Sequence, residues 1–220
     1  AVVLYCYAKE GKTSTAGNNA YVGGVVGYNF KGDIMSCGNE SEVLGNYDKQ
    51  VYAGGVAGVN KGKLYKSYNI GNVSGSYAGG IVALNDSVDN IGSIGLNQLR
   101  GLKTGIVTEC YTSGDVPTDQ ESYTENASKN TISGVVVGGI CAKMDFGYIA
   151  NCYTRCLLQT GTTNATIKKD CGVSTVEKGG LIGQIDGSES KYGLLENSVS
   201  FCDFDKGAIT TTINKYETVS

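Results

Sequence analysis

The 220-residue chain contains no histidine, no tryptophan and a single proline, Pro117, and its opposite charges nearly balance. Without histidine, the Ser-His-Asp and Cys-His arrangements of nucleophilic catalysis cannot be built in their usual form. The chain has 18 basic and 21 acidic residues, and the basic residues do not cluster in the sequence, so it predicts no nucleic-acid partner. The longest apolar stretch, around Val135 to Ile140, is too short to cross a bilayer, so no membrane insertion is expected.

Glycine, by contrast, is abundant at 33 residues, and the chain has 15 tyrosines. Collagen is excluded because there is no Gly-X-Y period and almost no proline. A hydrophobic fraction of 40% is enough to build a core, which argues against a disordered chain. Many glycines and β-branched residues, with few helix-forming runs, predict an all-β chain with tight turns.

A Gly-Gly element recurs five times along the chain. It reads Tyr-Val-Gly-Gly-Val-Val-Gly-Tyr-Asn over residues 21–29, and close copies cover 52–60 and 77–85. Two shorter copies begin at Gly138 and Gly179. After each copy comes an aliphatic residue, then two variable positions, then Cys or Ser and usually Tyr. A further copy of this second element opens the chain at Val3.

These repeats predict the fold. Strand, tight turn, strand and a loop of variable length favour a single parallel β-helix (β-solenoid) over residues 1–220, with about five to six irregular coils and loop insertions. Equivalent residues of successive coils then lie over one another at about 4.8 Å. Two columns are expected, one aliphatic and one of corner asparagines whose amides bond from coil to coil. They comprise Val25, Val56, Ile81, Ile140 and Leu181, and Asn29, Asn60 and Asn85.

Three excursions interrupt the coils, at residues 86–106, 115–133 and 155–176, and the tail 203–220 is interpreted as a C-terminal cap or a segment that pairs with another subunit. Loops held on a rigid scaffold commonly carry recognition. Tyr123, beside Asp119 and Glu121, is therefore the candidate binding residue, although these loops are equally well explained as neutral decoration. Because the chain opens inside a strand pattern without an initiator Met, it is interpreted as processed or excised from a longer secreted chain.

The eight cysteines divide by their position in the repeat. Where Cys alternates with Ser, the pattern indicates a small, inward-facing column of buried thiols. That column comprises Cys6, Cys37, Ser67, Cys110, Cys152 and Ser198. Cys156, Cys171 and Cys202 lie outside it and are disulfide candidates. A bridge between Cys156 and Cys202 in adjacent coils, a bridge between Cys156 and Cys171 within one loop, and no bridge at all are left open.

The sequence predicts no catalytic residue, no cofactor and no zinc site, since there is no His and no C-x-x-C pair. Residues 85–90 place oxygen ligands at alternating positions, which makes Asp86 and Asp89 a candidate calcium site. The segment lacks the Gly and the bidentate Glu of an EF-hand loop, and a polar turn explains it equally well.

Some repeat segments resemble a known family. Gly24-Val25-Val26-Gly27, Gly55-Val56-Ala57-Gly58 and Gly180-Leu181-Ile182-Gly183 resemble the GLUG-motif repeats of bacterial surface proteins, named for Gly-Leu-any-Gly. The resemblance covers most of residues 20–200. Leucine is kept only at Leu181, and alanine replaces the closing glycine in two copies. The resemblance implies a β-helical spacer or adhesive segment outside the cell, without catalytic residues.

Three functions remain open. The leading expectation is a non-catalytic extracellular structural or adhesive module of a bacterial surface protein. Its partner would be a host or neighbouring-cell surface protein or a glycan. The first alternative is a subunit of an extracellular fibre that binds copies of itself through open solenoid edges. The second alternative is a polysaccharide-active β-helix enzyme, which requires carboxylates clustered on one face.

Overall fold

The computed structural model describes residues 1–89, 96–114, 129–160, 176–185 and 193–204. These residues form 24 β-strands and one short helix, α1 (Leu96–Arg100). The strands make three sheets, A, B and C, and neighbouring strands within them run parallel. The chain is therefore all-β with parallel sheets, as its glycine-rich, β-branched composition predicts.

Sheet A contains the aliphatic residues of the second repeat element, and several of its strands begin directly after the aliphatic residue of the first element. It begins with a short strand and two long ones. After these, each repeat contributes two short strands, and the first two of them lie end to end along the second long strand. The strands are β1 (Val2–Leu4), β5 (Val26–Met35), β9 (Ala57–Tyr65), β12 (Val82–Asn85), β13 (Ile106–Thr108), β16 (Cys141–Met144), β17 (Gly147–Ala150), β21 (Ile182–Ile185) and β22 (Gly193–Glu196).

Sheet B is narrow, and sheet C is long like sheet A. Sheet B consists of β2 (Tyr7–Ala8), β6 (Gly38–Asn39), β10 (Tyr68–Asn69), β14 (Tyr111–Ser113), β18 (Tyr153–Arg155) and β23 (Val199–Ser200). Sheet C consists of β3 (Lys12–Thr15), β4 (Ala20–Gly23), β7 (Glu42–Gly45), β8 (Val51–Gly54), β11 (Val73–Gly79), β15 (Thr131–Gly138), β19 (Leu157–Thr160), β20 (Glu177–Gly179) and β24 (Asp203–Phe204).

The chain visits sheets A, B and C in turn, and each strand pairs with its equivalent one repeat later. The two expected columns are present. The amide of Val56 donates to Ile81 O at 2.9 Å, and the amide of Ile81 donates to Ile140 O at 2.9 Å. Asn60 lies in the middle of the asparagine column, because it accepts from Asn29 at 2.8 Å and donates to Asn85 at 2.9 Å.

The corner between sheets C and A is formed by the Gly-Gly pairs. A Cβ added to Gly55 would overlap the carbonyl oxygen of Gly80 and the side chain of Asn69. Gly80 has the same relation to the carbonyl oxygen of Gly139 in the next repeat. Glycine recurs here because successive backbones approach one another too closely for a side chain.

The corner between sheets A and B is formed by a residue in the left-handed region, which is costly for anything but glycine. Six non-glycine residues with φ between 45° and 54° occupy this corner, each directly before a member of the Cys/Ser column. They are Tyr5, Ser36, Lys66, Glu109, Asn151 and Asn197.

The core lies inside the three sheets. One cluster contains the aliphatic column together with Ile34, Leu64, Val107 and Ile149 of sheet A. A second cluster lines sheet C and includes Ile132. Fully buried β-branched and aliphatic side chains thus occur in every repeat of the core. Most strands are therefore stabilised both by hydrogen bonds to the strands of the neighbouring repeats and by burial of these side chains.

The excursions are shorter than the sequence suggested, because strand pairing continues into them. Strand β15 begins at Thr131, which places residues 131–133 in sheet C, and β18 and β19 together extend to Thr160. The excursion 86–106 contains α1, and its last residue, Ile106, already begins β13. Of the tail 203–220, Asp203–Phe204 forms β24 against β19, and residues 205–220 lie outside the described residues.

The described parts of the chain contain no helix whose length and hydrophobicity would let it cross a membrane.

Candidate functional site

Where sheet C turns into sheet A, the outward side chains of the two sheets meet. Tyr21, Tyr52 and Tyr77 stand in register on neighbouring strands of sheet C. Tyr77 packs in one cluster with the small residues Ala83 and Ala142 of sheet A, and Tyr52 packs against that cluster. In each of these repeats a Tyr lies two positions before Gly-Gly and a small residue lies three positions after it. The two positions therefore pack against each other on the outside of the corner.

The rings of this corner continue outward into solvent. Tyr52 and Tyr77 stack with centroids 4.5 Å apart and planes 13° apart, and Tyr21 follows at 5.6 Å from Tyr52. Tyr28 of sheet A lies 5.4 Å from Tyr21, and Phe30 lies 6.5 Å from Tyr28. The exposed fraction rises from 4% at Tyr77 to 44% at Tyr28 and 61% at Phe30. We call these five residues the aromatic surface.

Charged side chains border the aromatic surface. Lys61 is the register partner of Phe30 and forms an ion pair with Asp86 at 2.8 Å. Asp145 occupies the equivalent position on the next strand, and its carboxylate lies 3.0 Å from Lys143 Nζ without the directionality of a hydrogen bond. Two carboxylates and two ammonium groups thus line the edge of the ring system on consecutive strands.

Asp86 is the unusual member of this border. It is only 6% exposed, and its Oδ1 has no hydrogen-bond partner among the described residues. An unpaired buried carboxylate oxygen is costly and accepts a hydroxyl or amide donor readily. Burial lowers the pKa of Lys61, but the hydrogen bond and the charge of Asp86 outweigh that effect, so the pKa of Lys61 is raised.

A second aromatic column lies on the outer face of sheet B. Tyr68 and Tyr111 stack with centroids 5.4 Å apart, and Tyr7 lies 6.3 Å from Tyr68. The Tyr68 hydroxyl donates to Glu40 at 2.8 Å, and burial together with this bond raises the pKa of Tyr68. The hydroxyl of the central Tyr68 is thus paired within the chain, and the Tyr68 ring covers Gly38. This column is explained as packing of the sheet exterior.

The residues that the sequence predicts for ligand and calcium binding do not form a common site among the described residues. Tyr123, Asp119 and Glu121 lie outside the described residues. Asp86 pairs with Lys61, whereas Asp89 accepts bonds from the amide and hydroxyl of Thr104 at 3.1 and 3.0 Å. The two proposed calcium ligands therefore serve an ion pair and a loop closure. In the described segments no three acidic, Cys or His side chains are grouped as a metal site would need.

The Cys/Ser column has a clear structural role. Each sulfur or hydroxyl donates to the carbonyl two residues earlier, for example Cys110 to Thr108 at 3.2 Å and Ser67 to Tyr65 at 3.0 Å. This bond spans the left-handed residue and compensates for its strain. The same bond is made by Cys6, Cys37, Cys152 and Ser198.

Burial of that column is uneven. Cys37, Ser67, Cys110 and Cys152 are buried, and Ser198 is half-buried. The expectation that Cys6 is buried is wrong, because its thiol is exposed. Cys6 belongs to the outermost strands of the described chain, so no described strand covers it on the side away from β6.

The aromatic surface was not identified from the sequence, although its signal was present. Three copies of the Gly-Gly element carry Tyr two positions before the first glycine. Because the repeats are in phase, the alternation of inward and outward side chains places these three tyrosines on the same face of their sheet. It does not show that this face meets the outer face of another sheet.

Comparison with known proteins adds no assignment. No family model matches the chain, and no curated protein or solved structure matches it. The resemblance to GLUG-motif repeats stays a prediction that rests on the repeat segments themselves.

Proposed function

We propose that the chain is a parallel β-helix that acts as a non-catalytic adhesive module on the outside of a bacterial cell, and that its aromatic surface binds a glycan. The β-helix is supported by the strand order, since sheets A, B and C each advance by one repeat in chain order. The extracellular location is supported by the resemblance of the Gly-Gly segments to repeats of bacterial surface proteins.

The observation that carries the glycan proposal is the exposure of Tyr28 and Phe30 at the outer end of the aromatic surface, beside the charged border that begins with Lys61. Exposed aromatic rings that form one continuous surface mark an interaction site more often than a folding requirement. Pyranose rings present flat C–H faces and a rim of hydroxyl groups. Aromatic rings suit those faces, while the partly exposed side chains of Lys61, Lys143 and Asp145 suit the hydroxyls.

The repeat geometry supports a chain-like ligand. The aromatic surface and its charged border both run across consecutive strands, which are spaced at about 4.8 Å. A polysaccharide that lay along this direction would meet a ring or a polar group at each strand. The proposal replaces the loop residues Tyr123, Asp119 and Glu121 as the primary recognition site, and those residues stay a separate prediction.

The test uses a glycan array followed by titration calorimetry with a retained oligosaccharide. The double variant Tyr28→Ala, Phe30→Ala is expected to weaken binding at least tenfold, because both exposed rings are removed while the core is untouched. Tyr7→Ala is the matched control, since Tyr7 is 51% exposed but belongs to the sheet B column. Its affinity should stay within twofold of the parent protein.

Circular dichroism separates lost binding from lost folding in both variants. No retained glycan, or an equal loss in both variants, would count against the aromatic surface as the binding site. An affinity that changes only when residues 115–128 are deleted would instead favour recognition by that loop.

The polysaccharide-active enzyme stays an alternative because the carboxylates of Asp86 and Asp145 directly follow two neighbouring strands of sheet A. In both cases a lysine lies beside the carboxylate, which favours a binding role over proton transfer. Incubation with the retained polysaccharide and measurement of new reducing ends tests this alternative. Product that disappears in Asp86→Asn and Asp145→Asn would replace the adhesive proposal with a catalytic one.

The fibre alternative also stays a prediction. Electron microscopy of the purified chain at high concentration tests it directly. Filaments with an axial repeat would support self-assembly, whereas monomers would leave the adhesive module as the single remaining non-catalytic proposal.

A further inference from the structure

Cys156 and Cys202 occupy equivalent positions on adjacent parallel strands. Each follows a strand of sheet B and precedes a strand of sheet C. Leu157 pairs in register with Asp203, and the Asp203 amide donates to Cys156 O at 2.9 Å. The backbone on both sides of the two cysteines therefore fixes them opposite one another.

Their sulfur atoms contact each other directly. Cys156 Sγ and Cys202 Sγ are 3.1 Å apart. The cysteines of the Cys/Ser column differ, because each directs its sulfur to a carbonyl oxygen, as Cys110 does to Thr108 and Cys152 does to Ala150. The thiols of Cys110 and Cys152 also interact with each other, so a bridge between those two cysteines is an outcome that the test must separate from one between Cys156 and Cys202.

The two sulfurs differ in access. Cys156 is fully buried, whereas Cys202 is half-buried and within reach of a small reagent. Thr154 Oγ1 lies 3.4 Å from Cys156 Sγ and 3.2 Å from Cys202 Sγ, so a hydroxyl stands beside both atoms. This arrangement gives Cys202 the role of first nucleophile and Cys156 the role of the thiol that completes the bridge.

We propose that Cys156 and Cys202 form a disulfide that ties β24 to β19 when the protein meets an oxidising thiol–disulfide environment. The Cys202 thiolate attacks one sulfur of an external small disulfide, such as oxidised glutathione, and one glutathione thiolate leaves. Cys156 gives its proton to that thiolate or to water and attacks the Cys202 sulfur, and the second glutathione thiolate leaves. Two protein thiols are oxidised and one external disulfide is reduced to two thiols.

The geometry requires little movement. A disulfide bond is about 2.05 Å long, so the sulfurs must approach by about 1 Å from their present contact. The bond would close a loop of 46 residues, the sequence separation of the two cysteines. This loop carries β19 to β23, which include the last described strands of sheets A and B. The bridge would therefore restrict the unfolded chain over these strands as well as hold them in the folded protein.

The test compares the full chain purified with oxidised glutathione and with a reductant. Alkylation under denaturing conditions, read by intact mass, should label six cysteines in the oxidised protein, which is the eight of the sequence minus the bridged pair. Peptide mapping should recover a linked Cys156–Cys202 peptide. The oxidised protein should melt about 5 °C or more above the reduced protein.

Two variants make the outcome decisive. Cys202→Ser should abolish both the linked peptide and the thermal shift, while keeping the fold by circular dichroism. Cys110→Ser is the matched control from one of the other in-register cysteine pairs and should retain the linked peptide. Eight labelled cysteines after oxidation, or a bridge from Cys156 to Cys171 or from Cys110 to Cys152, would overturn the proposal. It is independent of glycan binding, so either proposal can fail alone.

Discussion

The asparagine column shows how a single side chain connects three repeats. Asn60 accepts a hydrogen bond from Asn29, donates one to Asn85, and donates another to Ile106 O at 3.1 Å. Asn29, Asn60 and Asn85 are buried, so Asn29 and Asn85 each lose a buried partner when the Asn60 amide is removed. The column therefore fixes the position of one strand relative to the next as well as contributing hydrogen bonds.

Asn60→Ala is expected to lower the free energy of unfolding by about 3 kcal/mol, because it leaves buried polar groups of Asn29 and Asn85 unpaired. Urea denaturation followed by circular dichroism measures the change. Asn46→Ala is the control, since the Asn46 side chain accepts one bond from Asp48 N at an exposed turn, and it should cost less than about 1 kcal/mol. Equal losses in both variants would contradict this role for the column.

Cys202 offers a pH-dependent test in the reduced protein. A hydrogen bond from Cys156 lowers the pKa of Cys202 to about 6, even though burial acts in the opposite direction. Alkylation of Cys202 by iodoacetamide should therefore rise between pH 5 and pH 7 and then level off, whereas an unperturbed thiol, with a pKa of about 8.5, becomes more reactive up to higher pH.

Mass spectrometry of the Cys202 peptide after short alkylation pulses gives this profile. In Cys156→Ala the donor is absent, so the inflection should move to higher pH. An inflection that stays in place would show that the Cys156 thiol is not the cause.

At the scale of the element, the Gly-Gly bend is the most restrictive part of each repeat. Gly55→Ala is expected to cost about 3 kcal/mol or more, because the new Cβ meets a backbone oxygen that cannot move without breaking the ladder. Gly17→Ala is the control, since the nearest atom to its Cβ would be 3.7 Å away. Its stability should change by less than about 1 kcal/mol.

Chemical denaturation of both glycine variants gives the comparison. If Gly55→Ala also fails to fold in the cell, the melting temperature of refolded protein supplies the same information. A stability close to that of the control would mean that the bend opens without penalty, which the stacked backbones do not allow.

The elements also show which features the sequence could predict. Gly55 and Asn60 repeat at fixed positions because they satisfy local requirements, so their columns could be read from spacing alone. The ends of the excursions could not, since Thr131 is in a strand only because Leu157 and its neighbours pair with it. The aromatic surface could not be predicted either, because it depends on how the outer faces of sheets C and A lie relative to each other. The pattern of residues along a strand does not contain that information.

At the scale of the whole molecule, the described strands form a stack in which burial falls toward both ends. Val56, Ile81 and Ile140 are fully buried, whereas Val25 and Leu181 are partly exposed in the same column. In a stack where each repeat contacts only its neighbours, local stability follows this gradient. The molecule should therefore open from its outer strands while the middle of the column stays closed.

Amide hydrogen exchange under native conditions, read by mass spectrometry, should show the slowest exchange in β9, β12 and β16. Strand β1 and strands β22 to β24 should exchange sooner, because each is paired on one side only among the described residues. Asn60→Ala sharpens the test, since loss of that amide should speed exchange in β9 and β12 more than in β23. Uniform protection along the chain, or a change spread equally over all strands, would indicate one cooperative unit in place of a stack of neighbouring repeats.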